Sequence, residues 1–153
     1  MKNKSVILGI LIIVLVCIIT TGCGFYNLLD TQEFKEHCGA RGYTTSDKEK
    51  GLYESKSYIV ATKSDVPYKI EYYEFEDEIS TKKAYEKQID AIPNYITTDS
   101  QNKRIDGAVF SKTTAVSENE YIIISRVKNT MIFIASTKEF QNEIDSFLED
   151  IDY

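Results

Sequence analysis

Hydrophobic residues run together at the start of the chain and recur at regular intervals after it. The fourteen residues from Val6 to Ile19 carry no charge and follow closely after Lys2 and Lys4. After residue 30 the apolar residues are separated by charged ones, at intervals typical of amphipathic helices and of strands. The pattern predicts an export segment followed by a folded domain over residues 30–153.

Two helices are predicted from their N-terminal signals. Asp30 and Glu33 have capping-box spacing at the start of a helix over residues 31–39. Ser80 is the expected N-cap of a second helix over residues 81–92, after which a proline prevents its continuation.

The C-terminal helix has the clearest periodicity of the chain. Ser136 and Glu139 have the spacing of a capping box. The helix that follows carries an apolar stripe, formed by Phe140, Ile144, Phe147, Leu148 and Ile151. Such a stripe stabilises a helix only when it is buried, so we expect this helix to pack on a sheet.

Five strands are predicted from runs of β-branched and aromatic residues. They span residues 58–62, 68–76, 108–114, 121–127 and 131–135. In the second strand the apolar phase changes between Tyr72 and Tyr73, which predicts a β-bulge. The last two strands lack polar alternation and are expected to be covered on both faces. Residues 97–104 are uniformly polar and are expected to form an exposed loop.

Together these elements predict a single α+β domain. We expect an antiparallel sheet of about five strands, packed on one face chiefly by the second and the C-terminal helices. A two-sheet sandwich is the alternative fold. The roughly 130 residues that follow the export segment are a common length for one domain with one core.

The N-terminal segment has the order of a signal peptide, in which positive charge, an apolar run and small residues follow one another. The apolar run is shorter than the roughly 20 residues that a spanning helix needs. The residues from Thr20 to Cys23 resemble the bacterial lipobox, although lipoboxes usually begin with an aliphatic residue. We therefore expect removal of residues 1–22, a lipid on Cys23 and a short tether over residues 23–29.

An uncleaved anchor is the alternative, because residues 6–25 contain no charge. In either case Lys2 and Lys4 stay on the cytoplasmic side and the domain is exported. Two acyl chains on one cysteine give stable anchoring where a single chain does not. We expect the domain at the outer face of the cell membrane, carried there by the general export route.

The charge of the chain excludes several partners. The full chain has a formal net charge of -6. Removal of residues 1–22 takes away two lysines and no acid, which leaves 16 basic and 24 acidic residues and a charge of -8. Such a domain is repelled by phosphate backbones and by anionic lipid headgroups. Nucleic acid is therefore not an expected partner.

Few residues of the chain are suited to catalysis or to metal binding. His37 is the single histidine, and its neighbour Cys38 points about 100 degrees away on a helix, so the two cannot act as base and nucleophile. We expect Cys38 to be a small buried hydrophobe and His37 to lie on a partly exposed flank. A zinc site needs more ligands than this pair offers. We expect no catalytic residue, no metal and no cofactor, and hence no enzyme.

Two acidic clusters have no recognised function. One consists of Glu71, Glu74, Glu76, Asp77 and Glu78, and the other of Glu149, Asp150 and Asp152. Neither has the spacing or the glycine of a calcium-binding loop. Both are expected to be solvated faces that keep the protein soluble.

Tyrosines are numerous, with 11 in the chain. Six lie on predicted strands or at their edges: Tyr53, Tyr58, Tyr68, Tyr72, Tyr73 and Tyr121. The favoured interpretation is that their rings cover the sheet while their hydroxyls reach water. An aromatic ligand-binding surface is the alternative.

Four features together resemble a known group of proteins. They are the lipobox, an early short helix closing on Gly42-Tyr43, the strand over residues 68–75 that leads into a lysine- and alanine-rich helix, and residues 125–130 before the C-terminal helix. The chain resembles small, uncharacterised lipoproteins of clostridia and related low-GC Gram-positive bacteria. The resemblance covers nearly the whole chain and implies no assigned reaction or ligand.

The favoured function is that of a non-catalytic lipoprotein that binds another envelope protein or a secreted factor. An immunity or inhibitor protein is one variant of this function. A small-ligand-binding lipoprotein that works with a transporter or sensor is the alternative, which the single predicted lobe disfavours. The sequence assigns no ligand-binding residue.

Overall fold

The computed structural model describes residues 28–49, 53–96 and 99–153. They form one seven-stranded antiparallel sheet and three α-helices. The strands are β1 (Thr44–Asp47), β2 (Ser57–Thr62), β3 (Lys69–Glu74), β4 (Gln101–Asp106), β5 (Phe110–Val116), β6 (Glu120–Val127) and β7 (Thr130–Thr137). The helices are α1 (Thr31–Ala40), α2 (Glu78–Asp90) and α3 (Gln141–Asp150). The strand order is β1-β2-β3-β7-β6-β5-β4, so the predicted α+β domain is confirmed with two additional strands.

Helices cover the sheet on both faces. On one face, the α1/α3 face, Phe34 and Phe147 join a single apolar cluster. On the other, the α2 face, Tyr85 joins a second cluster. The expectation that the second and C-terminal helices share a face is wrong, since α2 and α3 pack on opposite faces. Neighbouring residues of an interior strand point to opposite faces, so the same strand supplies apolar side chains to both clusters. In β6, Ile123 lies in the α1/α3 cluster and Ile124 in the α2 cluster, so the predicted two-sided cover of this strand is confirmed.

Burial on both faces of the sheet also explains the apolar phase change in β3. β2 and β3 pair residue for residue along the whole of β3, without a bulge. Tyr72 is buried on the α1/α3 face and Tyr73 on the α2 face. The predicted bulge is therefore wrong, since burial on both faces accounts for adjacent apolar residues in an unbroken register.

The two strands that the sequence did not predict lie at the edges of the sheet. β1 has only four residues, and all six residues of β4 are exposed. β4 takes up the second half of the segment over residues 97–104 that is predicted as a loop, and it pairs with β5 along its full length. A polar edge strand shows no apolar alternation, so hydrophobic periodicity does not identify it.

The first helix is confirmed and the second begins earlier than predicted. Asp30 and Glu33 form a capping box at the start of α1. Asp77, and not Ser80, caps α2, because the Asp77 carboxylate accepts the Ser80 backbone N–H at 2.7 Å. This bond from the backbone N–H of Ser80 lowers the pKa of the Asp77 carboxyl group.

The C-terminal helix begins later than its sequence signal indicated. Ser136 does not cap it, because β7 continues to Thr137 and Ser136 pairs with Tyr121 in the ladder. A 3₁₀ turn over Lys138–Phe140 follows, and α3 then starts without a side-chain cap. The predicted apolar stripe is nevertheless packed in the α1/α3 cluster.

Candidate functional site

The predicted lipid site lies outside the described residues. Cys23 and the expected signal peptide belong to the segment that precedes residue 28. Among the residues that the structure describes, no helix is long and apolar enough to span a membrane. Leu29 is 5% exposed, and its carbonyl accepts a hydrogen bond from the Tyr72 hydroxyl at 2.7 Å. Among the described residues, packing therefore begins at Leu29, six residues after Cys23.

The predicted environments of His37 and Cys38 are confirmed. Cys38 is fully buried in the α1/α3 cluster, whereas His37 is exposed. Burial raises the pKa of the Cys38 thiol to about 12. The thiol is therefore protonated at neutral pH and cannot act as a thiolate nucleophile.

The first acidic cluster is not one solvated face. Glu71 is buried with 7% of its surface exposed. Glu74 is partly buried and accepts from the Thr31 hydroxyl at 2.9 Å and from the Lys56 ammonium at 2.8 Å. Asp77 caps α2. The expectation of a solvated face is therefore wrong for Glu71 and Glu74 and confirmed for Glu76, Asp77 and Glu78, which are exposed.

The second acidic cluster is exposed, as expected. Within it, Asp150 forms an ion pair with Arg41, whose guanidinium also lies 5.9 Å from the centre of the Phe147 ring. No group of three or more histidine, cysteine, aspartate or glutamate side chains in the described ranges is placed to hold a metal ion.

The strand tyrosines divide equally between the two faces of the sheet. Tyr68, Tyr72 and Tyr121 belong to the α1/α3 cluster, and Tyr53, Tyr58 and Tyr73 to the α2 cluster. No single aromatic surface contains all six. The expectation that the hydroxyls reach water is wrong for the most buried of these six tyrosines on each face: Tyr72 donates to a backbone carbonyl and Tyr73 to Glu71.

The tyrosines of the α2 face surround a buried carboxylate. Oε2 of Glu71 accepts from the Tyr73 hydroxyl and from the Tyr58 hydroxyl at 3.0 Å, and Nζ of Lys69 lies 2.7 Å from its Oε1. The two tyrosine rings stack with their centroids 4.6 Å apart. Burial and the hydrogen bond to Glu71 raise the pKa of Tyr73. In this Glu71 cluster, the carboxylate accepts from two tyrosine hydroxyls and pairs with one lysine ammonium group, and it holds the two rings in place.

Replacement of the buried carboxylate tests this structural role. Glu71→Leu removes the acceptor of a buried phenol, and we expect the free energy of unfolding to fall by about 1–3 kcal/mol. Urea denaturation of Glu71→Leu, Tyr73→Phe and the double variant measures the effect. The double variant leaves no buried donor unpaired at Tyr73, so its loss of unfolding free energy should be smaller than the sum of the two single losses. If the single losses simply add in the double variant, the hydrogen bond between Tyr73 and Glu71 contributes nothing to stability.

β4 presents a free backbone edge. The Gly107 N–H donates to the Phe110 carbonyl at 2.7 Å, which closes the β4–β5 hairpin. Bonded and non-bonded pairs alternate along an antiparallel ladder, so Asp106, Arg104 and Asn102 direct their backbone groups away from β5. β4 is the last strand in the sheet order, and no described strand lies on that side.

Arg104 fixes this edge against the neighbouring helix. Its guanidinium binds both carboxylate oxygens of Glu86 in α2, at 3.0 and 2.6 Å, and its Nε donates to Asp106 at 2.7 Å. A bidentate pair of this kind holds its partners in a defined geometry. The edge is therefore a preformed surface, and sequence periodicity did not indicate it because every residue of β4 is polar or exposed.

Comparison with known proteins does not define a family for this fold and these sites. The chain matches no protein-family model, no curated protein and no solved structure. Function must therefore be argued from the residues of the chain itself.

Proposed function

We propose that the chain is a lipoprotein held at the outer face of the cell membrane by a lipid on Cys23, and that its domain binds another envelope or secreted protein without catalysis. The order of charge, apolar run and lipobox-like residues supports the anchor. The likeness to small clostridial lipoproteins agrees with it. The observation that carries the binding role is the free edge of β4.

The short tether keeps such a partner close to the membrane. Six residue steps separate Cys23 from Leu29, the first buried residue of the described fold. A fully extended chain of that length spans at most about 20 Å. The partner is therefore another membrane-bound protein or a secreted protein that reaches the cell surface.

Strand addition is the binding mode that the β4 edge supports. An extended segment of a partner would receive hydrogen bonds from the outward N–H groups of Asn102 and Arg104 and donate to their carbonyls. If the β4 edges of two copies paired, several registers would bring their Lys103 side chains close together. Like charges at an edge disfavour such association. A different protein with acidic residues in its extended segment fits this edge better than a second copy.

A proline at Asn102 tests the proposal. Asn102→Pro removes an outward N–H and leaves the ladder with β5 intact, because that N–H does not face β5. Asn102→Ala is the matched control, since it keeps the N–H. Each full-length variant is immunoprecipitated from detergent-solubilised membranes of the native host with antibodies against the domain, and the bound proteins are identified by mass spectrometry.

We expect one stoichiometric partner with the unchanged chain and with Asn102→Ala, and its loss with Asn102→Pro. Circular dichroism verifies that the proline variant is folded. Retention of the partner by Asn102→Pro would show that β4 is not the binding edge. Absence of any partner would contradict the protein-binding role, including its immunity or inhibitor variant.

The second candidate is a small-ligand-binding lipoprotein that works with a transporter or sensor. One observation favours it, namely an open cavity on the α2 face that is lined by the buried cation Arg126.

A further inference from the structure

Arg126 is a buried cation without an anion beside it. It lies on the α2 face of β6, two residues after Ile124, and only 3% of its surface is exposed. Its Nη2 donates to the Ser111 hydroxyl at 3.0 Å and to the Gly107 and Ala108 carbonyls at 3.2 and 3.5 Å. Its Nε has no hydrogen-bond partner, and no carboxylate of the described ranges lies within 4.0 Å of the guanidinium.

The neutral partners of Arg126 do not balance its charge. A guanidinium stays protonated in proteins, so burial cannot neutralise it. Buried charges are normally paired, because neutral acceptors replace only part of the lost hydration. Ser111 connects Arg126 to Asp106, but Arg104 already engages that carboxylate, and the hydrogen bonds of Arg104 and Ser111 lower its pKa. Arg126 therefore keeps the capacity to bind an anion.

Arg126 lines an open cavity of about 430 Å³ on the α2 face. This volume falls within the range of small-molecule sites. The charged lining residues comprise three cations and three acids, which are Lys82, Arg104, Arg126, Glu78, Glu86 and Asp106. The ion pairs of Arg104 occupy two of these acids, Glu86 and Asp106. What remains is positive charge at Arg126 and Lys82 and negative charge at Glu78.

We propose that this cavity binds a small organic zwitterion, whose carboxylate pairs with Arg126 and whose ammonium group faces Glu78. A planar carboxylate suits the fork of a guanidinium. A doubly charged phosphate fits less well, because it lacks an ammonium group to face Glu78, the acid of the cavity that Arg104 does not engage. Free amino acids and short peptides have this distribution of charge.

An exposed aliphatic residue at the cavity offers a contact for the ligand's side chain. Ile79 in the first turn of α2 lines the cavity and is 69% exposed. Contact with an apolar ligand group would remove part of this surface from water. The site therefore favours a zwitterion with an aliphatic side chain. The inference rests on Arg126 and its cavity, and it is independent of the anchor and of the β4 edge.

The small number of arginines makes a direct test possible. Arg41, Arg104 and Arg126 are the three arginines of the chain. Full-length protein labelled with ¹⁵Nε-arginine, in detergent micelles, should give three side-chain Nε–H signals, which arginine-to-lysine variants assign. The probes are L-alanine, L-valine, L-alaninamide and inorganic phosphate, added at equal ionic strength.

We expect L-alanine and L-valine to shift the Arg126 Nε–H signal saturably, with L-valine binding severalfold more tightly. Arg41, on the α1/α3 side of the molecule, should not respond. L-alaninamide lacks the carboxylate and should have no effect. An equal response to phosphate would contradict the assignment to a zwitterion, and no response of Arg126 to either amino acid would overturn the site.

A matched pair of variants separates a binding role from a structural one. Arg126→Met should abolish the rise in melting temperature that saturating L-valine produces, whereas Arg41→Met should retain it. Retention of the rise in Arg126→Met would overturn the role of Arg126. The titration of the unchanged protein decides the question even if Arg126→Met fails to fold.

Discussion

Alkaline solution should unfold this protein in one cooperative step, about one to two pH units above the pKa of an unfolded tyrosine, which is about 10. Seven tyrosines are at most 5% exposed and have pKa values that burial raises: Tyr43, Tyr68, Tyr72, Tyr73, Tyr85, Tyr121 and Tyr153. Their folded forms retain the proton at a pH where the unfolded forms have lost it.

The sign of the effect follows from linkage. A group whose folded pKa is raised stabilises the fold fully below its unfolded pKa, and this stability is lost as the pH rises towards the folded pKa. Each such tyrosine costs about 1.4 kcal/mol per pH unit in that window. Seven together cost about 10 kcal/mol per pH unit, which is comparable with the whole stability of a typical domain, about 5–15 kcal/mol.

A spectrophotometric titration measures this effect. Phenolate absorbance and far-ultraviolet circular dichroism should change together in one steep transition. Tyr72→Phe removes one of the seven groups and should make the transition less steep. Independent, gradual ionisation with the circular dichroism unchanged would show that the tyrosines are accessible to solvent in the folded protein.

Phe34→Ala should lower the free energy of unfolding by about 3–5 kcal/mol, the range observed when a buried phenyl ring is removed. Phe34 is fully buried, stacks on Tyr72 with their centroids 4.6 Å apart, and meets the edge of Phe147 at 6.4 Å. Through these two contacts α1 packs against aromatic side chains of the α1/α3 cluster. Its loss would leave a cavity among rings that the surrounding strands hold in place.

The exposed neighbour on the same helix provides the control. His37→Ala should change the free energy of unfolding by no more than about 0.5 kcal/mol, since His37 is exposed. Urea denaturation of the detergent-solubilised full-length variants gives both values. A small effect of Phe34→Ala would mean that α1 is not packed on the sheet.

The interior of the fold could be predicted from the sequence, and its edges could not. The runs in β6 and β7 lack polar residues because both faces of these strands are covered, and their burial was anticipated for that reason. In β3 the same cause produced a phase change that resembles a bulge. The sequence does not distinguish the two, because each places apolar residues next to one another.

β4 and the helix starts show the limits of local signals. The sequence QNKRID of β4 has no apolar alternation, and its strand conformation comes from the ladder with β5. Asp77 and Ser80 both have N-cap side chains, and the structure uses the one nearer to the end of β3. Ser136 is held in β7 by its pairing with Tyr121, so the tertiary ladder overrides a local capping pattern.

Predicting the candidate sites requires knowledge of the tertiary structure to a greater degree than predicting the helices and strands. Glu71 belongs to an acidic run that suggests solvation, but it lies two residues before Tyr73 in β3 and therefore shares its buried face. Arg126 follows an isoleucine run in the sequence, and this position in a strand with two-sided burial is the signal that could have identified it as a buried cation. The cavity beside it is formed by α2, β4 and β5, which no local pattern brings together.

The anchor is tested most directly by the mass of the N-terminal peptide of the protein isolated from membranes of its native host. The predicted result is a peptide that begins at Cys23 and carries a diacylglyceryl group, with the lipid mass absent in Cys23→Ala. A peptide that still begins in the segment before Cys23 would contradict the lipid anchor and establish the uncleaved one.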